Sequence, residues 1–390
     1  MSAHASRLLI VDDNEDNRLT LSERLAREGY RNVQMAADGR SALELIEREH
    51  FDLVLLDIMM PRMNGYQVLE SLHANPQHRS PPVIVISAID QMESVIRCIE
   101  LGAEDYLPKP FNPALLRARV GAILEKKRMR EEIDRHVERL DRELKLAREI
   151  QLAMVPAAAL AATAQSPVAL SAVLQPAREV GGDLYDYFWL TPQRLCIAVA
   201  DVSDKGLPAA LFMARAKTAI RLLASGAAEN GDATGVKAIV TRLNDELCRD
   251  NPHAMFVALV LCIIDVRTGA VEWCNAGLPP PYFVSADGSI GPRGEAIGCP
   301  LGLPVPDGYS IGATTLQAGT SMFMNTDGIT EAVNATGELF GDVRLRRALS
   351  AACGRSPEEM LACVLEQVAG FCAGAEQSDD IAALICRYEP

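Results

Sequence analysis

The sequence lacks any apolar run near the roughly 18–20 residues that a membrane-crossing helix needs, so no membrane segment is expected. Its first residues, Met1–Ser6, carry no charged start followed by a long apolar core, and no signal peptide is expected either. The ten cysteines form no CxxC pair. Cys196, Cys262 and Cys386 lie inside apolar runs, where a reduced, buried thiol is the expected state. These absences point to a cytoplasmic protein. Histidine is scarce: beyond residue 80 only His136 and His253 occur, neither beside a cluster of aspartates, and no persuasive Ser-His-Asp or Cys-His set is present there. Positive charge is also short. Thirty-eight Lys and Arg against 52 Asp and Glu leave a net charge of −14, which disfavours broad binding to a phosphate backbone. The C-terminal part also lacks a basic recognition helix, so a DNA-reading output is disfavoured and no nucleic-acid partner is expected.

What is present is an ordinary soluble composition, 49% hydrophobic and 23% charged, in 390 residues, enough for two or three domains. Over residues 7–120, apolar runs at Leu8–Val11, Val33–Ala36, Leu53–Leu56, Val83–Ser87 and Tyr106–Leu107 alternate with stretches of helical spacing. This βαβα order predicts a doubly wound, five-stranded parallel sheet covered on both faces. Residues 121–154 change character: Lys, Arg and Glu dominate, and Gly and Pro are absent after Gly121. Apolar residues recur at Ile133, Val137, Leu140, Leu144, Ala147 and Met154, about three heptads interrupted by Gln151, which predicts a coiled-coil linker helix ended by Pro156 and a homodimer formed through it. Ala157–Ala164 reads as a short linker, the only low-complexity tract, and no internal repeat is visible.

Residues 165–390 mix types. Val168–Leu174, Leu195–Asp201, Phe256–Asp265, Ala270–Cys274 and Ser321–Asn325 read as strands, and Ala209–Ala224, Thr234–Arg249 and Pro357–Phe371 as helices. Thr268-Gly269 and Asp287-Gly288 are hairpin signals that favour antiparallel pairing. The expected domains are therefore residues 6–122, a helical linker over 123–156, and an α+β domain over 165–390.

Two sets of acidic residues carry the chemistry. In the first, Asp12 and Asp13 follow the first strand, Asp57 ends the third, Ser87 ends the fourth and Lys109 follows the fifth. All lie at the carboxyl edge of a doubly wound sheet, where ligands bind. Three carboxylates in one cleft need a divalent ion to stay ionised. Asp57 is then a nucleophile toward phosphorus, with Lys109 as a point charge and Ser87 as a hydroxyl donor for the phosphoryl oxygens. Pro108-Lys109-Pro110 fixes the backbone presenting the lysine, with a possible cis bond before Pro110. The strings Ile10-Val11-Asp12-Asp13-Asn14, Leu55-Leu56-Asp57-Ile58-Met59-Met60-Pro61-Arg62-Met63-Asn64-Gly65 and Lys109-Pro110-Phe111 resemble the receiver domain of two-component response regulators. That resemblance implies Asp57 as phospho-acceptor, Mg²⁺ held by Asp12, Asp13, Asp57 and Met59, and a sensor histidine kinase as partner. It also implies that Ser87 and Tyr106 report phosphorylation to the face of the last helix, strand and turn.

In the second set, Asp183, Asp201, Asp327 and Asp379 each sit beside Gly or a polar turn at the edge of an apolar run, with Asn275-Ala276-Gly277 between them. A lone carboxylate there is usually a turn residue or helix cap. Several together suit hard cations, and a pair of such ions activates water for attack on phosphorus. The small residue after Val202 would also let the Val202 carbonyl face a metal. The strings Pro176–Asp186, Asp201-Val202-Ser203-Asp204-Lys205-Gly206-Leu207-Pro208-Ala209-Ala210-Leu211, Asn275-Ala276-Gly277, Thr326-Asp327-Gly328-Ile329-Thr330-Glu331-Ala332 and Asp379-Asp380-Ile381 together resemble the PPM-type metal-dependent Ser/Thr protein phosphatases, in their SpoIIE-like branch. This implies an α/β/β/α sandwich and two Mn²⁺ or Mg²⁺ ions. Asp201 is implied as bridging ligand, Val202 as carbonyl ligand, and Asp183, Asp327 and Asp379 as the other acids. Arg178 lies at the spacing of a substrate-phosphate arginine. Two departures from the family pattern stand out: Asp204 replaces a usual Gly and Leu278 a usual His.

The combined resemblance implies a response regulator whose phosphatase acts on a phosphoprotein, typically an anti-sigma-factor antagonist in a partner-switching pathway. Glu149-Ile150-Gln151 and Met154-Val155-Pro156 resemble the regulatory segment entering the catalytic domain. The alternative is a receiver-controlled adaptor that holds a sigma or anti-sigma factor without turnover.

Overall fold

The computed structural model describes residues 6–74, 81–87, 92–110, 112–163, 166–229, 235–292 and 298–390. Met1–Ala5, Phe111, Ala164, Gln165 and Thr234, all named in the readings above, lie outside the described residues. Two compact units divide the chain, Met1–Leu140 and Asp141–Pro390. Among the described residues no helix is long and apolar enough to cross a membrane.

The first unit contains β1 (Arg7–Val11), α1 (Glu15–Arg27), β2 (Asn32–Ala36), α2 (Gly39–Arg48), β3 (Leu53–Asp57), α3 (Gly65–His73), β4 (Val83–Ser87), α4 (Met92–Glu100), β5 (Asp105–Pro108) and the first part of α5 (Pro113–Met154). Its five strands run parallel in the order β2-β1-β3-β4-β5, as the alternation of runs predicts. The strands β3 and β4 are buried along their whole length, because helices cover both faces. Leu9, Val54, Leu56 and Val85 pack on one side with Val68, Leu69 and Cys98. Leu8, Ile10, Leu53, Leu55 and Ile84 pack on the other with Leu21, Leu25, Leu116 and Val120. Each such side chain contributes about 1.5–3 kcal/mol on burial. Helix starts are fixed locally: Asn14 accepts the Asp16 and Asn17 amides, and Asp38 with Ser41 and Asn64 with Gln67 form capping boxes.

Helix α5 does not break near residue 122. It is one helix of 42 residues. In the first unit it is held by Lys126 to Glu104 at 2.9 Å and by Lys127 to Asp52 at 2.7 Å. The heptad positions Ile133, Val137 and Leu140 are 62%, 59% and 58% exposed.

The second unit adds β6 (Ala159–Leu160), β7 (Val168–Gln175), β8 (Leu184–Thr191), β9 (Arg194–Val202), α6 (Leu207–Glu229), α7 (Val236–Cys248), β10 (Val257–Asp265), β11 (Ala270–Ala276), β12 (Tyr282–Val284), β13 (Ile290–Pro292), β14 (Gly312–Thr315), β15 (Ser321–Asn325), α8 (Asp327–Thr330), α9 (Gly341–Ala351), α10 (Pro357–Cys372) and β16 (Ile381–Tyr388). Two antiparallel sheets, β14-β11-β10-β9-β8 and β13-β12-β15-β16-β7-β6, lie face to face. The period of two along β9 builds the layers. Ala198, Ala200 and Val202 face α6 and α7, while Leu195, Ile197 and Val199 fill the space between the sheets. Helices α9 and α10 cover the outer face of the second sheet. Both expected hairpins are present, β10–β11 around Thr268-Gly269 and β12–β13 around Asp287-Gly288. Cys196, Cys262 and Cys386 are fully buried.

Two expectations need correcting. Ala157–Ala164 is not a bare linker: Ala159 and Leu160 pair with Ser171 and Leu170 as an edge strand. Strand β8 escaped the sequence reading because Asp186 interrupts its apolar pattern. That carboxylate is wholly buried, held by Arg221 Nε and Nη2 at 2.7 and 2.6 Å and by Lys217 at 3.1 Å. A buried charge needs such partners.

Candidate metal centres

The carboxyl ends of the parallel strands bring the first set together as expected. Carboxylate oxygens of Asp12, Asp13 and Asp57 lie within 4.8 Å of one another. Lys109 Nζ donates to Asp12 Oδ2 and Asp57 Oδ2, each at 2.7 Å. Burial pushes the Asp57 carboxyl above its usual range against the pull of Lys109. Burial works to lower the lysine, but its two carboxylate hydrogen bonds raise it overall. Ser87 is buried and its Oγ has no hydrogen-bond partner. An orphaned hydroxyl at the end of β4, the strand paired with the one that carries Asp57, fits a group that receives phosphoryl oxygens. Tyr106 donates to the Ser87 carbonyl at 3.3 Å. The Met59 side chain is exposed and its amide donates to Asp57 Oδ1 at 3.3 Å, so any ligand role there falls to its main chain. The Lys109–Pro110 bond is cis. Sequence reading missed Asn17, whose amide nitrogen reaches both Asp12 oxygens at 3.1 and 3.2 Å. Its position on the first turn of α1 was the available signal.

In the second unit, Asp183 precedes β8, Asp201 lies on β9, Asp327 opens α8 and Asp379 precedes β16. Asp183 is 2% exposed and accepts the Thr326 hydroxyl at 2.6 Å. Burial, then the Asp201 charge, hold its carboxyl well above the usual range. It shares a hydrogen bond with Asp201, which burial and the charges of Asp327, Asp379 and Asp380 push up to about 7. Burial, then Glu331 and Asp379, also raise Asp327. Among the described residues, the three-carboxylate grouping within 4.8 Å that the receiver achieves is not reached by these acids. Asp183 and Asp201 share one hydrogen bond, and the charges of Asp327, Asp379 and Asp380 bear on Asp201. Their all-oxygen donor set and mutual repulsion fit hard divalent cations such as Mg²⁺ or Mn²⁺.

The glycines of the motif are required by close approach. A Cβ on Gly181 would stand 2.1 Å from Asp380 Oδ2, and one on Gly182 2.7 Å from the Val202 carbonyl oxygen. Asp380 itself accepts the Ala177 and Gly182 amides, each at 2.7 Å, so it builds the loop that presents Asp183. Gln151, at the end of α5, completes that loop. It is 4% exposed, donates to the Gly181 carbonyl at 2.6 Å and accepts the Gly181 amide at 3.1 Å. Sequence reading took it as an interruption of the heptad seam.

The remaining motif residues have separate places in the fold. Asn275 is a turn builder: its side chain accepts the Gly277 and Leu278 amides and donates to the Leu278 carbonyl. Leu278 is buried between the two sheets, so its side chain belongs to the core. Asp204 is solvent-exposed with φ of 69°, the left-handed region that glycine adopts freely and aspartate tolerates. Arg178 is exposed and lines a cleft of ≈ 240 Å³ with Lys205, Gly206, Gln377 and Ser378.

The family profile described as Stage II sporulation protein E (SpoIIE) matches residues 191–389, more than half of the chain, and the response regulator receiver domain profile matches residues 8–121. The chain belongs to the SpoIIE family. It joins a receiver domain to a SpoIIE-type PP2C phosphatase domain. Protein IcfG of Synechocystis sp. is 30% identical over 234 residues, covering 54% of this chain and 36% of that protein. Transcriptional regulatory protein CpxR of Escherichia coli is 42% identical over 119 residues, covering 30% of this chain and 49% of CpxR. The chain thus spans about a third to a half of these relatives. The SiaA-PP2C domain of Pseudomonas aeruginosa superposes with a TM-score of 0.56 at 21% identity, over 65% of this chain and 99% of that domain, and so shares the fold.

The SpoIIE-type site sets a pH dependence. In the metal-free fold Asp201 keeps its proton up to about pH 7, whereas an unfolded aspartate ionises near ~4. The unfolded chain therefore binds fewer protons in that window, and stability falls as pH rises through it. Calorimetry should give a lower Tm at pH 8 than at pH 6 without metal, a larger rise on adding Mn²⁺ at pH 8, and a flatter metal-free profile for Asp201→Asn. A metal-free Tm that climbs from pH 6 to pH 8 contradicts this electrostatic picture.

Proposed function

We propose that this chain is a response regulator in which phosphorylation of Asp57 by a sensor histidine kinase raises the activity of a metal-dependent protein serine/threonine phosphatase. Its substrate is then a phosphoprotein, an anti-sigma-factor antagonist of a partner-switching pathway. The observation that carries the reading is the Gln151 clasp on Gly181, because α5 runs unbroken from Pro113 to Met154 and so links the receiver's last helix to the loop presenting Asp183.

In this reading Asp12, Asp13, Asp57 and the Met59 main chain hold one Mg²⁺, and Lys109 and Ser87 take the phosphoryl oxygens on Asp57. Asp201, the Val202 carbonyl, Asp183, Asp327 and Asp379 hold two Mn²⁺ or Mg²⁺. Bound there, the ions would supply an activated water for phosphomonoester hydrolysis. Thr326 orients Asp183, Asp380 and Gln151 hold its loop, and Arg178 receives the substrate phosphate. Added charge at the sheet edge shifts the packing of the receiver's last helix, and α5 transmits the shift. The adaptor alternative would draw on the two departures from the family pattern, Asp204 and Leu278. An exposed turn residue and a core residue give it no support at the acids.

The exposed seam of Ile133, Val137 and Leu140 fits a second copy of the same helix. Sedimentation should show a dimer that Val137→Glu weakens. A monomer at micromolar concentration, with and without beryllofluoride, contradicts the seam. For the enzyme reading, the test is Mn²⁺-dependent release of phosphate from phosphoserine and phosphothreonine proteins against p-nitrophenyl phosphate. Turnover by the wild type supports it. Two bound Mn²⁺ without turnover on any of these, with beryllofluoride present, overturns it.

A further inference from the structure

Lys205 is the one cation placed directly on an implied metal ligand of the phosphatase site among the described residues. Its Nζ lies 2.9 Å from Asp379 Oδ2 and 3.0 Å from the Ser378 carbonyl oxygen. The residues on either side of it, Asp204 and Gly206, both have positive φ, 69° and 73°, so the turn itself sets where the lysine leaves the backbone. The side chain is 44% exposed and lines the cleft of ≈ 240 Å³ that also holds Arg178, Gln377, Ser378 and Glu376.

Two demands meet at that ammonium. A carboxylate in a crowd of carboxylates needs a cation, and Lys205 supplies one to Asp379 when no metal does. A carboxylate that ligates a divalent ion has little use for the lysine, and an ammonium beside a divalent cation is repelled. The flexible four-carbon stem then lets the charge swing into the adjoining cleft, where Arg178 already stands. A phosphoryl dianion at the mouth of that cleft would meet two cations and two acids, Glu376 and an Asp380 whose carboxylate oxygens already accept the Ala177 and Gly182 amides.

We propose that Lys205 is an exchange residue: it neutralises Asp379 in the metal-free site and, once that carboxylate is committed to metal, turns to bind the phosphoryl oxygens of the substrate beside Arg178. This deepens the phosphatase reading and rests on it. Lys205 therefore competes with metal for Asp379 and afterwards contributes to substrate affinity. The two effects have opposite signs when the lysine is removed, which no purely structural role would produce.

The test uses the full chain, with Mn²⁺ binding followed by calorimetry and inorganic phosphate as the probe of the cleft, read as inhibition of p-nitrophenyl phosphate hydrolysis at saturating Mn²⁺. Lys205→Met should tighten Mn²⁺ binding and weaken phosphate inhibition, each by about tenfold, the scale of one charge-assisted hydrogen bond. Lys205→Arg should restore phosphate inhibition, and Lys205→Gln should reproduce Lys205→Met, which separates loss of the charge from any effect of methionine on the turn. Unchanged or weaker Mn²⁺ binding in both neutral variants overturns the exchange, and so does phosphate inhibition that is unchanged in them. A wild type that takes up no Mn²⁺ at all instead overturns the metal-dependent phosphatase reading, so the two failures are distinguishable.

Discussion

Asp201→Asn is expected to lower Mn²⁺-dependent phosphomonoester hydrolysis by about 10³-fold, the scale seen when a group that stabilises developing charge is removed. Asp201 is the acid on which the others converge. It shares a hydrogen bond with Asp183 and feels the charges of Asp327, Asp379 and Asp380. Asparagine keeps the shape and removes one charge from a repulsive set, so the metal-free Tm should stay level or rise while activity collapses. That opposite movement separates loss of a ligand from loss of fold. A variant retaining more than a tenth of wild-type turnover at saturating Mn²⁺ would show that Asp201 does not bridge the metals.

Gln151→Ala carries the second large effect. Removing the amide leaves the Gly181 N–H and C=O without the partners they have at 3.1 and 2.6 Å. Buried groups left unpaired cost about 1–3 kcal/mol. The loop carrying Gly181-Gly182-Asp183 then loses its tie to α5. The expected result is turnover that no longer responds to beryllofluoride on the receiver, with an activated-to-basal ratio near one. Asp57 acylphosphate formation, followed with a small phosphodonor, should remain as in the wild type. A Gln151→Ala chain that still responds fully would mean the signal reaches the phosphatase by another route.

The receiver was almost wholly legible in the sequence. Its strands are buried on both faces, so they read as continuous apolar runs, and its clustered acids sit directly at strand ends. The phosphatase acids were legible as motifs, because glycine beside aspartate marks close approach, as Gly181 and Gly182 bear out. What escaped were partnerships made across long sequence separations. Gln151 looked like a flaw in a heptad because periodicity asks only whether a position is apolar, while its partner lies 30 residues away. Asp186 hid β8 because a buried charge is tolerable only with Arg221 and Lys217 in place, which no local pattern reveals. Asp379 and Asp380 are adjacent and chemically identical, yet Asp380 is spent on two backbone amides and Asp379 meets Lys205. Asn275 falls in a motif and Leu278 departs from one, and the turn that joins them is structural.

The central claim is that Asp57 controls the phosphatase, and its most direct test is turnover of p-nitrophenyl phosphate at saturating Mn²⁺ with and without beryllofluoride, for the wild type and for Asp57→Ala. The account predicts a rise of several-fold or more with beryllofluoride in the wild type and none in Asp57→Ala, which stays at the basal rate. Equal turnover by beryllofluoride-loaded wild type and Asp57→Ala would contradict it.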